Sequence, residues 1–135
     1  MSNYYIACMI VEAAPSINNE IEGYSVKYTD GSTNWMSKEF FEHTFYLMGD
    51  TCTSVTDEMV DNFVSAVNSD KINSKTVLVT AHMITGFLEH KVASCVDPNN
   101  FNLEVGQEVV MKKIKDKLWE FLSFVIQWGL FGIKN

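Results

Sequence analysis

The stretch that decides the fold is Lys75-Thr-Val-Leu-Val-Thr-Ala-His-Met-Ile84, followed by Thr85-Gly86 and then by Phe87-Leu-Glu-His-Lys-Val-Ala-Ser94. Two short segments, the first rich in β-branched residues, joined by two residues that include glycine, are typical of a β-hairpin. Asp97-Pro98-Asn99-Asn100 favours a turn, because proline fixes φ and asparagine tolerates left-handed backbone. Apolar residues recur at helical spacing from about Leu103 onward. The sequence therefore predicts a strand pair joined by a short elbow to a long helix.

The elbow contains four residues to which we assign structural roles, namely Cys95, Asp97, Pro98 and Phe101. We expect the Cys95 side chain to pack as a small hydrophobe, and the Asp97 carboxylate to cap the turn or the start of the helix. The alternative is a thiolate at Cys95 activated by His82 or His90, which is the arrangement that nucleophilic catalysis would require. We favour packing and do not expect an enzyme.

The same region resembles a known family. Ser94-Cys95-Val96-Asp97-Pro98 with Asn100-Phe101, then Glu104-Val-Gly106 and Lys117-Leu118-Trp119, resemble the Gp49-like family of small tailed-phage proteins. The resemblance implies a phage origin. It implies no biochemical activity, because none is assigned to the family. The family pattern has proline and glycine where this chain has Glu120 and Ser123. We therefore expect the final helix to continue past Trp119.

Composition excludes several classes of protein. The net charge of −7 and the pI near 4.8 argue against sequence-independent binding of duplex nucleic acid, which depends on lysine and arginine contacts to phosphate. The three cysteines lack paired spacing, so neither a disulfide framework nor a zinc site is indicated. No apolar run is long enough to span a membrane. We expect no cofactor and no metal, and a place in the host bacterial cytoplasm.

The first part of the chain predicts a strand, a hairpin and a helix. The apolar run over residues 3–12 predicts a buried first strand that Pro15 ends, and residues 17–22 predict a polar connection. Residues 22–30 alternate, Asp30-Gly31 predicts a tight turn, and residues 32–36 predict the returning strand. Ser37 is the expected N-cap of a helix over residues 38–48.

This hairpin carries a second resemblance. Gly23-Tyr24-x-Val26-x-Tyr28-x-Asp30-Gly31, followed by Trp35-Met-Ser-Lys38, resembles a short leader found in many phage proteins. In some of them the leader precedes a domain like the anti-Thoeris sponge, which sequesters a nucleotide-derived immune signal. That downstream domain is not recognisable in this sequence, so the leader alone does not imply sponge activity.

The middle of the chain predicts a second helix and a boundary. Ser54 and Thr56 are candidate N-caps, and the expected apolar stripe consists of Met59, Val60, Phe63, Val64 and Val67. Residues 68–74 predict a linker. The chain is thus an α+β protein of two hairpin-plus-helix modules, residues 1–68 and 74–135, which either fold separately or share one core.

Three groups of residues are candidates for binding. Tyr24, Tyr28 and Trp35 are a candidate aromatic platform for a nucleobase, although such residues more often belong to the core. A cluster of lysines on the final helix is a candidate phosphate contact, although a solvated helix face is more common. An apolar tail is a candidate interface between copies of the chain. The lysines are Lys112, Lys113 and Lys115, and the tail residues are Trp128, Leu130 and Phe131.

The combined expectation is a phage-encoded accessory protein that counters host defence by stoichiometric binding. The acidic balance favours a host defence protein as the target. One alternative is a sponge for a nucleotide immune signal, for which the aromatic and lysine residues would form a pocket. Another is a minor virion or assembly protein. In each case we expect a homo-oligomer.

Overall fold

The structure, a computed structural model, describes residues 1–134. The chain forms two compact units. The N-terminal unit consists of residues 1–54 together with the chain from Phe124 onward. The central unit is Val55–Ser123. Each unit holds one three-stranded antiparallel sheet, which confirms the α+β class.

The N-terminal unit contains strands β1 (Glu12–Asn18), β2 (Ile21–Lys27) and β3 (Thr33–Ser37), followed by helix α1 (Lys38–Thr44). The strand order is β1-β2-β3. Asn19 and Glu20 join the first two strands with φ angles of 51° and 67°, the conformation of a tight two-residue hairpin turn. Ser37 accepts a hydrogen bond from the backbone N–H of Phe40 and so caps α1, as predicted.

The prediction of a buried strand over residues 3–12 is wrong. Residues 1–11 have no regular secondary structure, and the first strand begins at Glu12. Pro15 lies inside β1, opposite Tyr24. Proline is tolerated there because β1 is an edge strand, where a missing N–H breaks no ladder on the outer side. The polar connection expected over residues 17–22 is instead the hairpin turn and its flanking strand ends.

Helix α1 is shorter than the predicted 38–48 range. Phe45 leaves the helical conformation with φ −115° and ψ 140°, and its N–H still bonds the Phe41 carbonyl. The Phe45 ring stacks beside the Phe41 ring, with 4.9 Å between centroids, so the aromatic contact is kept although the helix has ended.

The central unit contains helix α2 (Asp57–Phe63), strands β4 (Val64–Asn73), β5 (Thr76–Met83) and β6 (Leu88–Ser94), and helix α3 (Leu103–Phe131). A single 3₁₀ turn, Pro98–Asn100, lies between β6 and α3. Thr56 caps α2, and the Asn102 side chain accepts hydrogen bonds from the first N–H groups of α3. The hairpin β5–β6 and the long helix are confirmed.

The predicted linker over residues 68–74 is wrong, and so is the extension of the second helix to Val67. Residues 64–73 form β4, which pairs with β5 through most of its length. The β4 sequence is polar and its ladder has two irregularities, near Val64/Ala66 and Lys71/Asn73. Backbone hydrogen bonds to β5 hold it in the sheet although its side chains give little hydrophobic signal.

Helix α3 runs without interruption for 29 residues, past Glu120 and Ser123, as predicted from the two departures from the family pattern. The Ser123 hydroxyl donates to the Trp119 carbonyl inside the helix. One face of α3 and one face of the central sheet supply most of the buried side chains of the central unit. These are Val77, Val79, Ala81, Met83, Val110, Ile114, Leu118 and Leu122. Among the described helices, none has the length and hydropathy that a membrane crossing needs.

Candidate functional site

The two faces of the central sheet differ in what covers them. Val77, Glu89 and Ser69 face α3: a methyl group built at Gly106 would lie 2.8 Å from Val77, Glu89 pairs with Lys117, and Ser69 bonds Gln107. Alternate residues point to the opposite side, because successive side chains of a strand alternate. We call that side the open face. Its side chains are Asn68, Asp70, Thr76, Leu78, Thr80, His82, Leu88, His90, Val92 and Ser94.

Hydrogen bonds fix the polar groups of the open face across the strands. Asn68 Nδ2 lies 3.0 Å from His82 Nε2, and Thr80 Oγ1 lies 2.9 Å from His90 Nδ1. Thr76 and Ser94 bond to each other at 3.0 Å. These pairs are direct or diagonal cross-strand neighbours, which are close enough to interact in an antiparallel sheet. The two imidazole rings are therefore held in set orientations before any partner binds.

Apolar side chains lie among these polar pairs. Leu88 is 44% exposed and Val92 is 56% exposed, and they flank His90 along β6. Among the described residues of the open face, Asp70 is the one carboxylate and lysine is absent. A surface with exposed aliphatic groups, fixed polar groups and little formal charge has the composition of the centre of a protein interface.

The aromatic residues predicted as a platform are divided between the faces of the first sheet. Tyr24 pairs with Met36 while Trp35 pairs with Ser25, so the Tyr24 and Trp35 side chains lie on opposite faces. The Trp35 ring lies over Gly23, where a Cβ would be 2.4 Å from it, and its Nε1 donates to the Ser16 carbonyl. The three residues therefore do not form one platform. Tyr28 is half-buried just beyond the end of β2.

Tyr24 belongs to an aromatic stack instead. Its ring stacks on Phe41 with 4.1 Å between centroids, and its hydroxyl donates to Glu42 Oε2 at 2.7 Å. The hydrogen bond to Glu42 raises the pKa of Tyr24 above its usual value, because the neutral phenol is the donor and the nearby carboxylate disfavours the phenolate. This stack consists of groups from β2 and α1 and agrees with the core interpretation of the residue.

The lysine cluster lies on α3 in the central unit. Lys112 and Lys113 are exposed, whereas Lys115 Nζ pairs with Asp61 of α2 at 2.7 Å. The aromatic candidates belong to the other unit, so neither unit by itself contains both halves of the nucleotide pocket expected from the sequence.

The elbow residues have structural partners. The Cys95 N–H donates to the Lys75 carbonyl, and its thiol lies 3.2 Å from the Asp97 carbonyl. Asp97 Oδ1 accepts from the Asn99 N–H at 3.0 Å and so caps the 3₁₀ turn that Pro98 begins. Lys71 Nζ lies 4.9 Å from the centre of the Phe101 ring. His82 forms its hydrogen bond with Asn68, and His90 forms its hydrogen bond with Thr80, so neither of these bonds is made to the Cys95 thiol.

The tail residues belong to the last turns of α3. Trp128 and Leu130 are half-buried, and Phe131 is exposed. Part of this helix end is covered within the unit by the N-terminal segment, because a methyl group built at Gly129 would lie 3.0 Å from Ile10. The described chain thus provides a partial partner that the sequence analysis did not foresee.

A family model matches residues 52–130, more than half of the chain. The chain belongs to the phage protein (N4 Gp49/phage Sf6 gene 66) family. The match includes the whole sheet of the central unit, the elbow and nearly all of α3. Neither a curated protein nor a solved structure matches the chain significantly.

Membership confirms the resemblance carried by the elbow motif and identifies a phage protein. The open face lies within the matched range, whereas the segment resembling a phage leader, residues 23–38, lies outside it. The leader resemblance therefore remains an interpretation of the sequence. Within residues 1–134, no three His, Cys, Asp or Glu side chains are grouped closely enough to hold a metal ion.

Sequence reasoning missed the open face as a candidate site of this family member. The available signal was the alternation in β5, where Thr80 and His82 face away from the valines, and in β6, where His90 lies between Leu88 and Val92. These residues lie together because the register between β5 and β6 pairs Thr80 with His90 and His82 with Leu88.

Proposed function

We propose that this phage protein counters host defence in the cytoplasm of the infected bacterium by binding a host defence protein stoichiometrically through its open face. The observation that carries the proposal is the set of cross-strand hydrogen bonds that fixes His82, His90 and their partners beside exposed Leu88 and Val92. A surface whose polar groups are already oriented loses less conformational entropy when it binds.

The composition of the open face supports a protein as the target. Burying Leu88 and Val92 against an apolar patch supplies hydrophobic free energy of roughly 25 cal/mol per Å². The imidazole and hydroxyl groups supply hydrogen bonds that select one partner over another. Because lysine is absent from the described part of this face and the chain has a net charge of −7, a phosphate-bearing ligand would meet little positive charge there.

The test uses charge insertion at exposed positions. We compare the full chain with Leu88→Lys/Val92→Lys, which places two charges on the open face. The matched control is Val105→Lys/Val109→Lys, which changes two exposed aliphatic residues of α3 in the same unit. Each protein is tagged, used to recover partners from lysate of defence-active host cells, and expressed in those cells during phage challenge. Circular dichroism establishes that each variant is folded.

We expect the wild type and the control each to recover one host protein at a stoichiometric ratio and to protect the phage. The open-face variant should neither recover that protein nor protect the phage. Recovery that is unchanged in the open-face variant would assign the interaction to another surface. A retained nucleotide detected by native mass spectrometry, without a protein partner, would favour the sponge. Recovery of virion proteins from infected cells alone would favour the assembly role.

A further inference from the structure

The N-terminal segment of the chain begins with highly exposed apolar side chains. Tyr4 and Tyr5 are almost fully exposed, and Ile6 is 80% exposed. Residues 2–11 carry no charged side chain and no regular secondary structure. We call residues 4–6 the arm. Apolar side chains of this size rarely extend together into solvent unless another surface covers them.

The part of the segment that follows the arm is anchored on α3. The Cys8 thiol lies 3.6 Å from the Val125 carbonyl, and Ile10 packs where Gly129 lacks a side chain. A methyl group at Gly129 would approach Cγ1 of Ile10 to 3.0 Å, closer than most side-chain carbons come. The anchor holds residues 8–10 beside the helix, and the arm precedes the anchor in the chain.

The same end of α3 exposes an aromatic stripe. Phe124 is 71% exposed and Phe131 is 55% exposed, and half-buried Trp128 lies between them. Positions 124, 128 and 131 are separated by four and three residues, so they lie on one side of a helix. Residues 121–133 contain no charged side chain. We call Phe124, Trp128 and Phe131 the stripe.

We propose that two copies of the chain exchange their arms, so that the arm of each copy packs on the stripe of the other. Both surfaces consist of apolar side chains. The Lys134 ammonium lies 5.1 Å from the centre of the Phe131 ring, at the end of the stripe, and its flexible stem lets it stay in water when the arm packs on the stripe. They adjoin an existing contact of the same kind, the anchor between Ile10 and Gly129. Since each copy supplies one arm and one stripe, a two-fold axis satisfies both at once and closes the assembly.

The available area is sufficient for a stable dimer. Tyr4, Tyr5, Phe124 and Phe131 each expose most of a large aromatic side chain, and two copies supply each of them twice. Scaled by these exposures, at roughly 150–250 Å² per aromatic side chain, complete burial would remove about 1,000–1,600 Å² from water, which overlaps the range for specific protein interfaces. The proposal is independent of the host partner proposed for the open face.

The experiment measures molecular mass in solution for the full chain and for two variants at exposed positions. The arm variant is Tyr4→Ser/Tyr5→Ser/Ile6→Ser, and the stripe variant is Phe124→Ser/Phe131→Ser. The control, Ile17→Ser/Ile21→Ser, removes two exposed aliphatic side chains from the β1–β2 hairpin of the same unit. Sedimentation velocity over a concentration series gives the dimer dissociation constant of each protein.

We expect the wild type and the control to be dimers, and each variant to dissociate at least about tenfold more readily, since it lacks central aromatic contacts. Mixing the arm variant with the stripe variant should restore part of the dimer, because the arm of one remains complementary to the stripe of the other. A dimer that the arm substitutions leave unchanged would overturn the exchange and indicate contact between stripes. A monomeric wild type would also overturn the exchange. If that monomer floated with phosphatidylglycerol-containing vesicles, the partner of the arm and the stripe would be a lipid surface.

Discussion

The two units share a topology, a three-stranded antiparallel sheet in sequential order, and differ in how that sheet is stabilised. In the central unit the middle strand β5 buries Val77, Val79, Ala81 and Met83 against one side. In the N-terminal unit the middle strand β2 buries Val26 and Gly23, while its Tyr24 stacks with aromatic rings of α1. Burial of one aliphatic side chain supplies about 1.5–3 kcal/mol, whereas an aromatic pair adds about 0.5–1.5 kcal/mol beyond its area.

This difference explains where apolar surface remains available for binding. The central unit uses one whole face of its sheet as core and leaves the other as the open face. The N-terminal unit has few fully buried side chains, and its apolar residues remain exposed in the arm and the stripe. In the N-terminal unit, the apolar residues that are not buried in the small aliphatic core therefore remain on the surface, where they can bind a partner.

The largest effect should come from the aliphatic core of the central unit. Val110 is 1% exposed and its neighbour Val109 is 48% exposed on the same helix. Val110→Ala should lower the free energy of unfolding by about 2 kcal/mol, because it removes two buried carbons and leaves a cavity. Val109→Ala should change it by less than about 0.5 kcal/mol. Denaturant unfolding of both variants measures the difference, and equal effects would contradict the core described for α3.

The close approach at Gly23 provides the corresponding test in the N-terminal unit. A Cβ there would lie 2.3 Å from the Met36 carbonyl oxygen and 2.4 Å from the Trp35 ring, so Gly23→Ala forces β2 and β3 apart. We expect a loss of about 1–3 kcal/mol, typical of overpacking. Hydrogen exchange should show faster exchange in β1–β3 and little change in β4–β6. Ser25→Ala, at an exposed position of the same strand, is the control and should leave both sheets protected.

An ion pair gives a smaller effect in the central unit. Lys117 Nζ lies 2.8 Å from Glu89, whose side chain is largely covered, whereas Lys113 on the same helix is exposed. Lys117→Ala should cost up to about 1 kcal/mol, reduced by solvent screening around the half-exposed lysine. Lys113→Ala should be neutral. If thermal melts of the two variants coincide, the pair contributes nothing measurable to the central unit.

The smallest effects concern titration in the N-terminal unit. Because its hydrogen bond to Glu42 raises the pKa of Tyr24, that bond stabilises the fold fully below the usual tyrosine pKa, and the contribution is lost as pH rises through the raised value. In Glu42→Gln, the Tyr24 phenol should ionise at lower pH than in the wild type. Ultraviolet absorbance of phenolate measures this. An unchanged titration would show that the carboxylate does not influence the phenol.

Asp30 should show the opposite pH dependence. The hydroxyl and the N–H of Ser32 donate to its carboxylate and lower the pKa of Asp30. The stabilisation is therefore present above the usual aspartate pKa and is lost as pH falls through the lowered value. In Ser32→Ala, which keeps the N–H donor, the Asp30 carboxyl should titrate at a pH between that of the wild type and that of a free aspartate. Carbon-detected NMR of the carboxyl group follows it directly.

The sequence predicted the elements that bury one face or begin at a cap. Strand β5 was evident from its alternating valines, and the starts of α1 and α2 from Ser37 and Thr56. The two missed strands, β1 and β4, are both edge strands. Their side chains are mostly polar or exposed, and they are held by backbone hydrogen bonds to the next strand of a hairpin, which their own residue pattern does not indicate. The alternation of apolar and polar residues within such a strand is therefore too weak to predict it.

The candidate sites were less accessible to sequence reasoning. The structural role of Asp97 at the elbow followed from its position before Pro98. The open face, in contrast, exists because residues on three strands share one side, which requires the register that pairs Thr80 with His90. The predicted aromatic platform failed for the same reason, since adjacent strands placed Tyr24 and Trp35 on opposite faces.

The continuity of α3 has a consequence for the order of synthesis. The central unit is complete in sequence at Ser123, but the N-terminal unit needs residues from both sides of it. At roughly 5–20 residues per second, the ribosome adds Phe124 several seconds after Ser54. During that interval the segment around Ile10 lacks its anchor at Gly129. The central unit is thus built from one continuous segment, whereas the N-terminal unit is completed only after the last turns of α3 have been made.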